Sequence, residues 1–315
     1  MKDPEAFRRE ALERLQAEVP GKAIVAASGG IDSTIAALLA HGALGARAKA
    51  IFVDTGLLRK GERDRVVSMA RGLGLPLEVL DAADRFLGAL DGVVDPEEKR
   101  RRIGAAFIRG FEEAADRFGA DRLVQGTIAP DWIESGGQLR DTIKTHHNVG
   151  GIPKDSRLKV VEPLRDLYKD EVRLLAGHLG IPQADRQPFP GPGLAVRVVG
   201  PVTKARVALA RAANAVVEEE VDRAIGAGAL PRPWQYFAVL LPVRTVGVTG
   251  DNRVYGEAVS VRLVESSDAM TATAVRPPGE VLSRIAERIT RELAPGVTRV
   301  LYDVTDKPPA TIEWE

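Results

Sequence analysis

Short apolar runs alternate with amphipathic stretches through the first 186 residues. Lys22-Ala23-Ile24-Val25-Ala26-Ala27 reads as a buried strand, and so do Ala48–Val53, Leu77–Leu80, Leu123–Gly126 and Val160–Leu164. Between them lie helical spacings. Phe7, Ala11, Leu15 and Val19 predict an amphipathic helix over Pro4–Val19, opened by Asp3-Pro4 and closed by Pro20-Gly21. The Ala- and Leu-rich stretch Thr34–Ala40, the segment Glu62–Leu73, a long stretch from Asp95-Pro96 to Phe118, and Lys169–Leu179 read as further helices. Strands alternating with helices predict an α/β fold, a parallel sheet flanked by helices.

The pattern changes at Gln187-Pro188-Phe189-Pro190-Gly191-Pro192-Gly193-Leu194-Ala195, where prolines and glycines alternate. This stretch reads as a linker or a rigid loop and sets a domain boundary between 1–186 and 187–315. Beyond it, Thr203–Ile225 and Pro278–Leu293 read as helices. Ala238–Leu241, Arg244–Val248, Val254–Leu263 and Val297–Val304 read as strands, with Gly250-Asp251-Asn252 as a hairpin turn. The expectation is a smaller α+β domain with one open sheet, of the kind that pairs with a copy of itself.

Thr127–Asp155 stands apart. It has little apolar periodicity, yet it holds Trp132, Lys144, His146 and His147 among glycines. It reads as a catalytic lid; a mobile surface loop is the plain alternative. Adjacent histidines on extended backbone point opposite ways and no third ligand is near, which argues against a metal at that pair.

Lys+Arg and Asp+Glu both number 44, for a net charge of zero, and there is no cysteine. Neutrality argues against a nucleic-acid groove but leaves room for a local basic pocket. The lack of cysteine removes disulfides, thiolate metal sites and a thiol nucleophile. No apolar run approaches the ~20 residues of a membrane span, and Met1–Glu5 has no signal-peptide character. The expectation is a cytoplasmic protein with neither membrane nor nucleic acid as partner.

The sharpest feature is Ser28-Gly29-Gly30-Ile31-Asp32-Ser33, where a strand ends, two glycines turn the chain and a helix begins. That geometry aims backbone N–H groups and the positive end of a helix dipole at one point, where a phosphate fits. Gly29 and Gly30 admit the anion without a Cβ in the way. Ser28, Ser33 and Thr34 add hydroxyls, and ionised Asp32 suits a cation carried by phosphates. An ordinary strand–helix turn is the plain alternative. The loop matches neither the dinucleotide nor the Walker pattern.

Ser-Gly-Gly-x-Asp-Ser after a first strand resembles the pyrophosphate loop of the N-type ATP pyrophosphatases. Four further stretches are similar to the ATP-pyrophosphatase portion of the GMP synthetase family: Phe52–Arg59, Ile143–Gly151, Pro188–Ala195 and Lys307–Glu315. They occur in the family's order, although Gln187 stands where the family usually has His. The resemblance implies an adenine nucleotide alpha hydrolase-like domain over 1–186 and an XMP-binding and dimerisation domain over 187–315. It implies the reaction of XMP, ATP and ammonia to GMP, AMP and pyrophosphate, with ATP and Mg²⁺ bound. With no cysteine and no segment for a glutaminase domain, the chain resembles the stand-alone form of the two-subunit type. Its ammonia would come free or from a separate glutamine amidotransferase subunit, and the chain itself would form a homodimer.

By the same resemblance, Ser28, Gly29, Gly30, Ile31, Asp32 and Ser33 hold the β,γ-phosphates, with Asp32 facing Mg²⁺, and Val53 and Asp54 hold the adenosine. Lys144 brings a cation to the phosphates. His146 and His147 close the site against water or handle a proton. Lys144, Asp32, Ser33, His146 and His147 make up the catalytic set. Arg59, Arg197, Gln235, Lys307, Thr311 and Glu313 are the XMP candidates. Rival readings fit less well: a tRNA-thiolating enzyme calls for cysteines and a basic surface, NAD synthetase leaves Lys307–Glu315 unexplained, and a nucleotide sensor need not keep cleavage groups.

Overall fold

The computed structural model describes residues 3–129, 157–182, 186–267 and 269–315; the expected lid residues Lys144, His146 and His147 lie outside them. The chain divides into two compact units. The first holds Met1–Gly56, Gly61–Phe86 and Arg100–Asp185, and the second holds Leu57–Lys60, Leu87–Lys99 and Arg186–Glu315.

The first unit is built on β1 (Ala23–Ala26), β2 (Ala48–Asp54), β3 (Leu77–Asp81), β4 (Arg122–Val124) and β5 (Lys159–Val161). Their order is β3-β2-β1-β4-β5, and every pairing is parallel. Ala23, Ile24 and Val25 are buried in succession. Successive residues face opposite sides of a strand, so both faces of β1 are covered, as a parallel sheet requires.

The helices are α1 (Pro4–Glu18), α2 (Ile31–Leu44), α3 (Glu62–Gly72), α4 (Ala83–Ala89), α5 (Pro96–Phe118) and α6 (Lys169–His178). The Asp3 side chain caps α1 by accepting the Glu5 N–H at 3.0 Å. Asp95 starts α5 by accepting the Glu98 N–H at 2.8 Å. Leu15 of α1, Ile35 and Leu39 of α2, and Leu175 of α6 share one core with Val25, Val124 and Val161 of the sheet. Two elements differ from the sequence pattern. Helix α4 has no counterpart in it: its seven residues carry one buried anchor, Phe86, edge-on to Phe107 at 4.8 Å, and one anchor makes no period. Helix α2 begins at Ile31, so the polar half of the glycine loop is its first turn.

The second unit holds α7 (Lys204–Gly226), β6 (Gln235–Thr249), β7 (Asn252–Glu265), β8 (Thr273–Ala274), α8 (Gly279–Glu292) and β9 (Val297–Tyr302). Strand β7 runs antiparallel to β6 and β8 and parallel to β9. A register shift between Leu241 and Arg244 joins the two expected strand pieces into one bulged β6. The Pro–Gly run packs tightly. Gly193 has φ +67°, a Cβ there would lie 2.6 Å from the Leu57 carbonyl oxygen, and the Leu194 N–H donates to that oxygen at 2.8 Å.

Three cations are fully buried in this unit: Lys99, Arg197 and Arg262. Arg262 donates to the carbonyls of Thr305, Thr311 and Ile312 at 2.9–3.0 Å and to Asp303 at 2.7 Å. Lys99 donates to the carbonyl of Val198 at 2.8 Å and is ion-paired with Glu315. A buried charge stripped of its partner is strongly destabilising, whereas replacing both partners by apolar groups is close to neutral. Lys99→Met should therefore lower unfolding free energy by about 3–5 kcal/mol. Lys99→Met with Glu315→Leu should recover most of that loss in urea denaturation.

Candidate functional site

The order β3-β2-β1-β4-β5 reverses direction between β1 and β4, and ligands of open α/β sheets bind at the carboxyl ends of the strands at such a point. The chain leaving β1 there is Ala27–Gly30. The chain leaving β4 is Gln125-Gly126, which lies so close to α2 that a Cβ on Gly126 would stand 2.7 Å from the backbone of Asp32 and Ser33.

No side chain caps α2, whose N-cap is Gly30. The first-turn amides of a helix have no partner within the helix. The hydroxyls of Ser33 and Thr34 donate back to the Gly30 carbonyl at 3.1 and 2.8 Å. Ser28 is tied to the same turn: its N–H donates to Ser33 Oγ at 3.1 Å, and the two Oγ atoms lie 3.0 Å apart. Ser28 and Gly30 are exposed, Ile31 and Asp32 half-buried, and Ser33 buried. The result is an exposed rim of hydroxyl and amide at a helix N-terminus, suited to an anion.

Val53 is buried in β2. Asp54 ends that strand, where its side chain accepts the Gly56 N–H at 3.1 Å and faces Arg63 at 3.4 Å. These contacts fix the turn that leaves the strand. Sequence reasoning found α3 but missed that its start touches the loop from the side. Arg65 donates to the Gly29 carbonyl at 3.1 Å, and a Cβ on Gly29 would stand 2.3 Å from Val66.

The remaining candidates lie in the second unit. Arg197 grips Glu313 with Nε at 3.0 Å and Nη2 at 2.7 Å, donates to Asn214 at 3.2 Å, and sits between the Phe189 and Phe237 rings at 5.2 and 4.1 Å from their centroids. Arg59 also approaches Phe189, at 4.6 Å from its centroid, and faces Glu218 at 3.4 Å. Gln187 donates to the same Glu218 at 3.0 Å and accepts the Tyr236 N–H at 2.7 Å. Burial, and then the hydrogen bond to Asp222, push the Tyr236 hydroxyl well above the usual phenol range.

Gln235 donates to the Pro188 carbonyl at 3.2 Å, while its Oε1 is buried and accepts from none of the described residues. Lys307 is ladder-paired with Ala272, and its ammonium donates to the Ala269 carbonyl at 2.8 Å. Thr311 bonds the Glu313 carbonyl. Arg262 and Lys99, which hold this tail, were also missed. Arg262 carries a sequence signal, a lone cation inside Ser260-Val261-Arg262-Leu263-Val264. Lys99 carries none, because it sits in a run of charges.

Among the described residues no three His, Asp or Glu side chains cluster as a metal site, and no helix is long and apolar enough to cross a membrane.

Comparison with known proteins gives a single answer. Residues 223–314 match the family model described as GMP synthase C terminal domain. The chain is 61% identical over 297 residues to a subunit of the glutamine-hydrolyzing GMP synthase of Pyrococcus horikoshii, covering 93% of each. It is 59% identical to the same subunit from Thermococcus kodakarensis over 99% of each chain, and 56% identical to that of Methanocaldococcus jannaschii over the full length of both.

Gly29 has φ +83°. Gly29→Ala should cost about 1–2 kcal/mol in backbone strain and should also drive Val66 off the loop. Inorganic pyrophosphate binding, read by calorimetry, should weaken at least tenfold. Adding Val66→Ala should restore part of it, since space returns and the strain does not.

Proposed function

The chain belongs to the family of these GMP synthase subunits, and on that ground we propose that it is the ligase that converts XMP to GMP with ATP. The amino group comes as ammonia from a separate glutamine amidotransferase. In this reading the C2 oxygen of XMP attacks the α-phosphorus of ATP, the bond to the β-phosphate breaks, and pyrophosphate leaves. Ammonia then bonds to C2 and displaces that oxygen with AMP, losing a proton. Adenylation is needed because the ring oxygen alone is a poor leaving group.

The observation that carries this reading is the uncapped N-terminus of α2 set beneath Ser28–Gly30 at the switch point of the sheet. Negative charge builds on the departing pyrophosphate, and fixed amides and hydroxyls aimed at it need no reorganisation. Ser28, Gly29, Gly30, Ile31, Asp32 and Ser33 take the β,γ-phosphates, and Val53 and Asp54 border the adenosine. Asp32, one half-buried carboxylate beside that rim, fits a Mg²⁺ ion, which takes one or two carboxylates and completes its shell with phosphate oxygens and water. Such an ion would neutralise phosphate charge. Lys144 supplies a further cation, and His146 and His147 shield the site or handle a proton.

XMP is assigned to Arg59, Arg197, Gln235, Lys307, Thr311 and Glu313. The buried acceptor on Gln235 suits a ring or ribose donor, since an unpaired buried acceptor is costly. Arg197 contributes by fixing the Glu313 carboxylate. The division into an ATP domain over 1–186 and an XMP domain over 187–315 belongs to the same proposal, as does a cytoplasmic location. The homodimer is assigned to the second unit, where Val246 and Tyr255, cross-strand partners, and Val248 at 74% exposed leave the end of the β6–β7 hairpin apolar.

The purified chain given ATP, Mg²⁺, XMP and ammonium should release AMP and pyrophosphate only when XMP is present, and should form GMP with ammonium but not with glutamine alone. Cleavage with another acceptor would refute the substrate. Nucleotide binding without cleavage under any acceptor would make the chain a sensor. Lys144→Ala should lower the rate about 10²–10³-fold. Val246→Asp with Val248→Asp should shift the mass in light scattering from dimer to monomer.

A further inference from the structure

We infer that Arg65 is a positioning residue that sets the polarity of the phosphate loop, an inference that rests on reading this loop as the pyrophosphate site. Gly29 stands at φ +83° and its carbonyl is turned toward the Arg65 guanidinium, 3.1 Å away. In a planar trans peptide the N–H points opposite to the preceding C=O. With the Gly29 carbonyl held by Arg65, the Gly30 N–H is turned toward Ser28 Oγ, 3.4 Å away, on the exposed rim. A flipped peptide would put a carbonyl oxygen on that rim, and a carbonyl repels phosphate. Glycine offers little resistance to such a flip, because it populates both signs of φ. The donor face therefore needs an outside hold.

Arg65 is itself held. Its Nε and Nη2 donate to Oε1 of Glu62 at 3.3 and 2.6 Å, and Glu62 is buried. The two residues lie three apart in the first turn of α3, so one face of one turn carries both. Nη2 serves Glu62 and Gly29 together. A lysine ammonium has donors enough for both acceptors but is one compact point on a different stem, and it lacks the second nitrogen, Nε, with which Arg65 fixes its guanidinium plane on Glu62. The next residue, Val66, occupies the place a Gly29 side chain would take, with 2.3 Å between them. The same turn thus restrains the loop by contact and by hydrogen bond.

The test measures inorganic pyrophosphate binding by calorimetry beside KM for ATP and for XMP. Arg65→Met keeps much of the stem and removes the donor. Pyrophosphate affinity should fall and KM for ATP rise about tenfold, the loss expected of one charged hydrogen bond, with KM for XMP within about twofold. Arg65→Lys keeps the charge and should recover only part of the loss. Unchanged pyrophosphate affinity in Arg65→Met overturns the inference. Full recovery in Arg65→Lys does so too, because simple charge attraction would then suffice. If Arg65→Met fails to fold, Arg65→Lys and Glu62→Gln carry the test. Both keep the cation and both should weaken pyrophosphate about three- to fivefold; normal affinity in either overturns it. A wild-type chain that binds pyrophosphate but makes no GMP refutes the reaction and leaves this inference standing. A wild-type chain that makes GMP while Arg65→Met binds pyrophosphate normally refutes the inference alone.

Discussion

A guanidinium or ammonium sealed from water must have its charge matched and its donors filled, and the second unit is arranged around that requirement. Arg262 gathers three main-chain carbonyls and Asp303, Arg197 takes Glu313 in a two-pronged grip between two aromatic rings, and Lys99 meets Glu315. The segment from Asp303 onward has almost no regular secondary structure, yet these three cations hold it at Asp303, Thr305, Thr311, Ile312, Glu313 and Glu315. Thr311 is held in place by Arg262 and Glu313 by Arg197, while Lys307 is tied to Ala269 and Ala272.

The first unit solves a different problem with the same means. There the proposed phosphate site calls for a loop backbone held in one orientation at the start of a helix. The uncapped start of α2 supplies donors, and neighbours restrain the backbone from outside: Gly126 from one side, Val66 and Arg65 from another. Each close approach needs a glycine on one of the two surfaces, which ties the Ser-Gly-Gly sequence to packing as well as to chemistry.

Much of the fold was legible because parallel strands buried on both faces make unbroken apolar runs, such as Ala23–Ala26 and Ala48–Val53, and the helices between them keep a clear period. Helix α4 was not legible, since one buried phenylalanine in seven residues makes no pattern. The bulge in β6 was read as a gap between two strands, because Pro242 interrupts the ladder without ending the strand. At the site, the loop's residues and their strand–helix setting could be read from spacing alone. The grip of Arg65 on Gly29 could not, because contacts across 36 residues leave no local trace. Nor could the pairing of Arg197 with Glu313 across 116 residues.

Such separations bear on how the chain reaches its native state. Lys99 finds Glu315 across 216 residues, and Arg59 finds Glu218 across 159. Closing loops of that size is entropically slow, and contacts of high sequence separation retard folding. The second unit therefore depends on contacts of long sequence separation, because it includes Leu57–Lys60 and Leu87–Lys99 together with Arg186–Glu315. Changes at these early segments should register in the rate of assembly as much as in the strength of the finished protein.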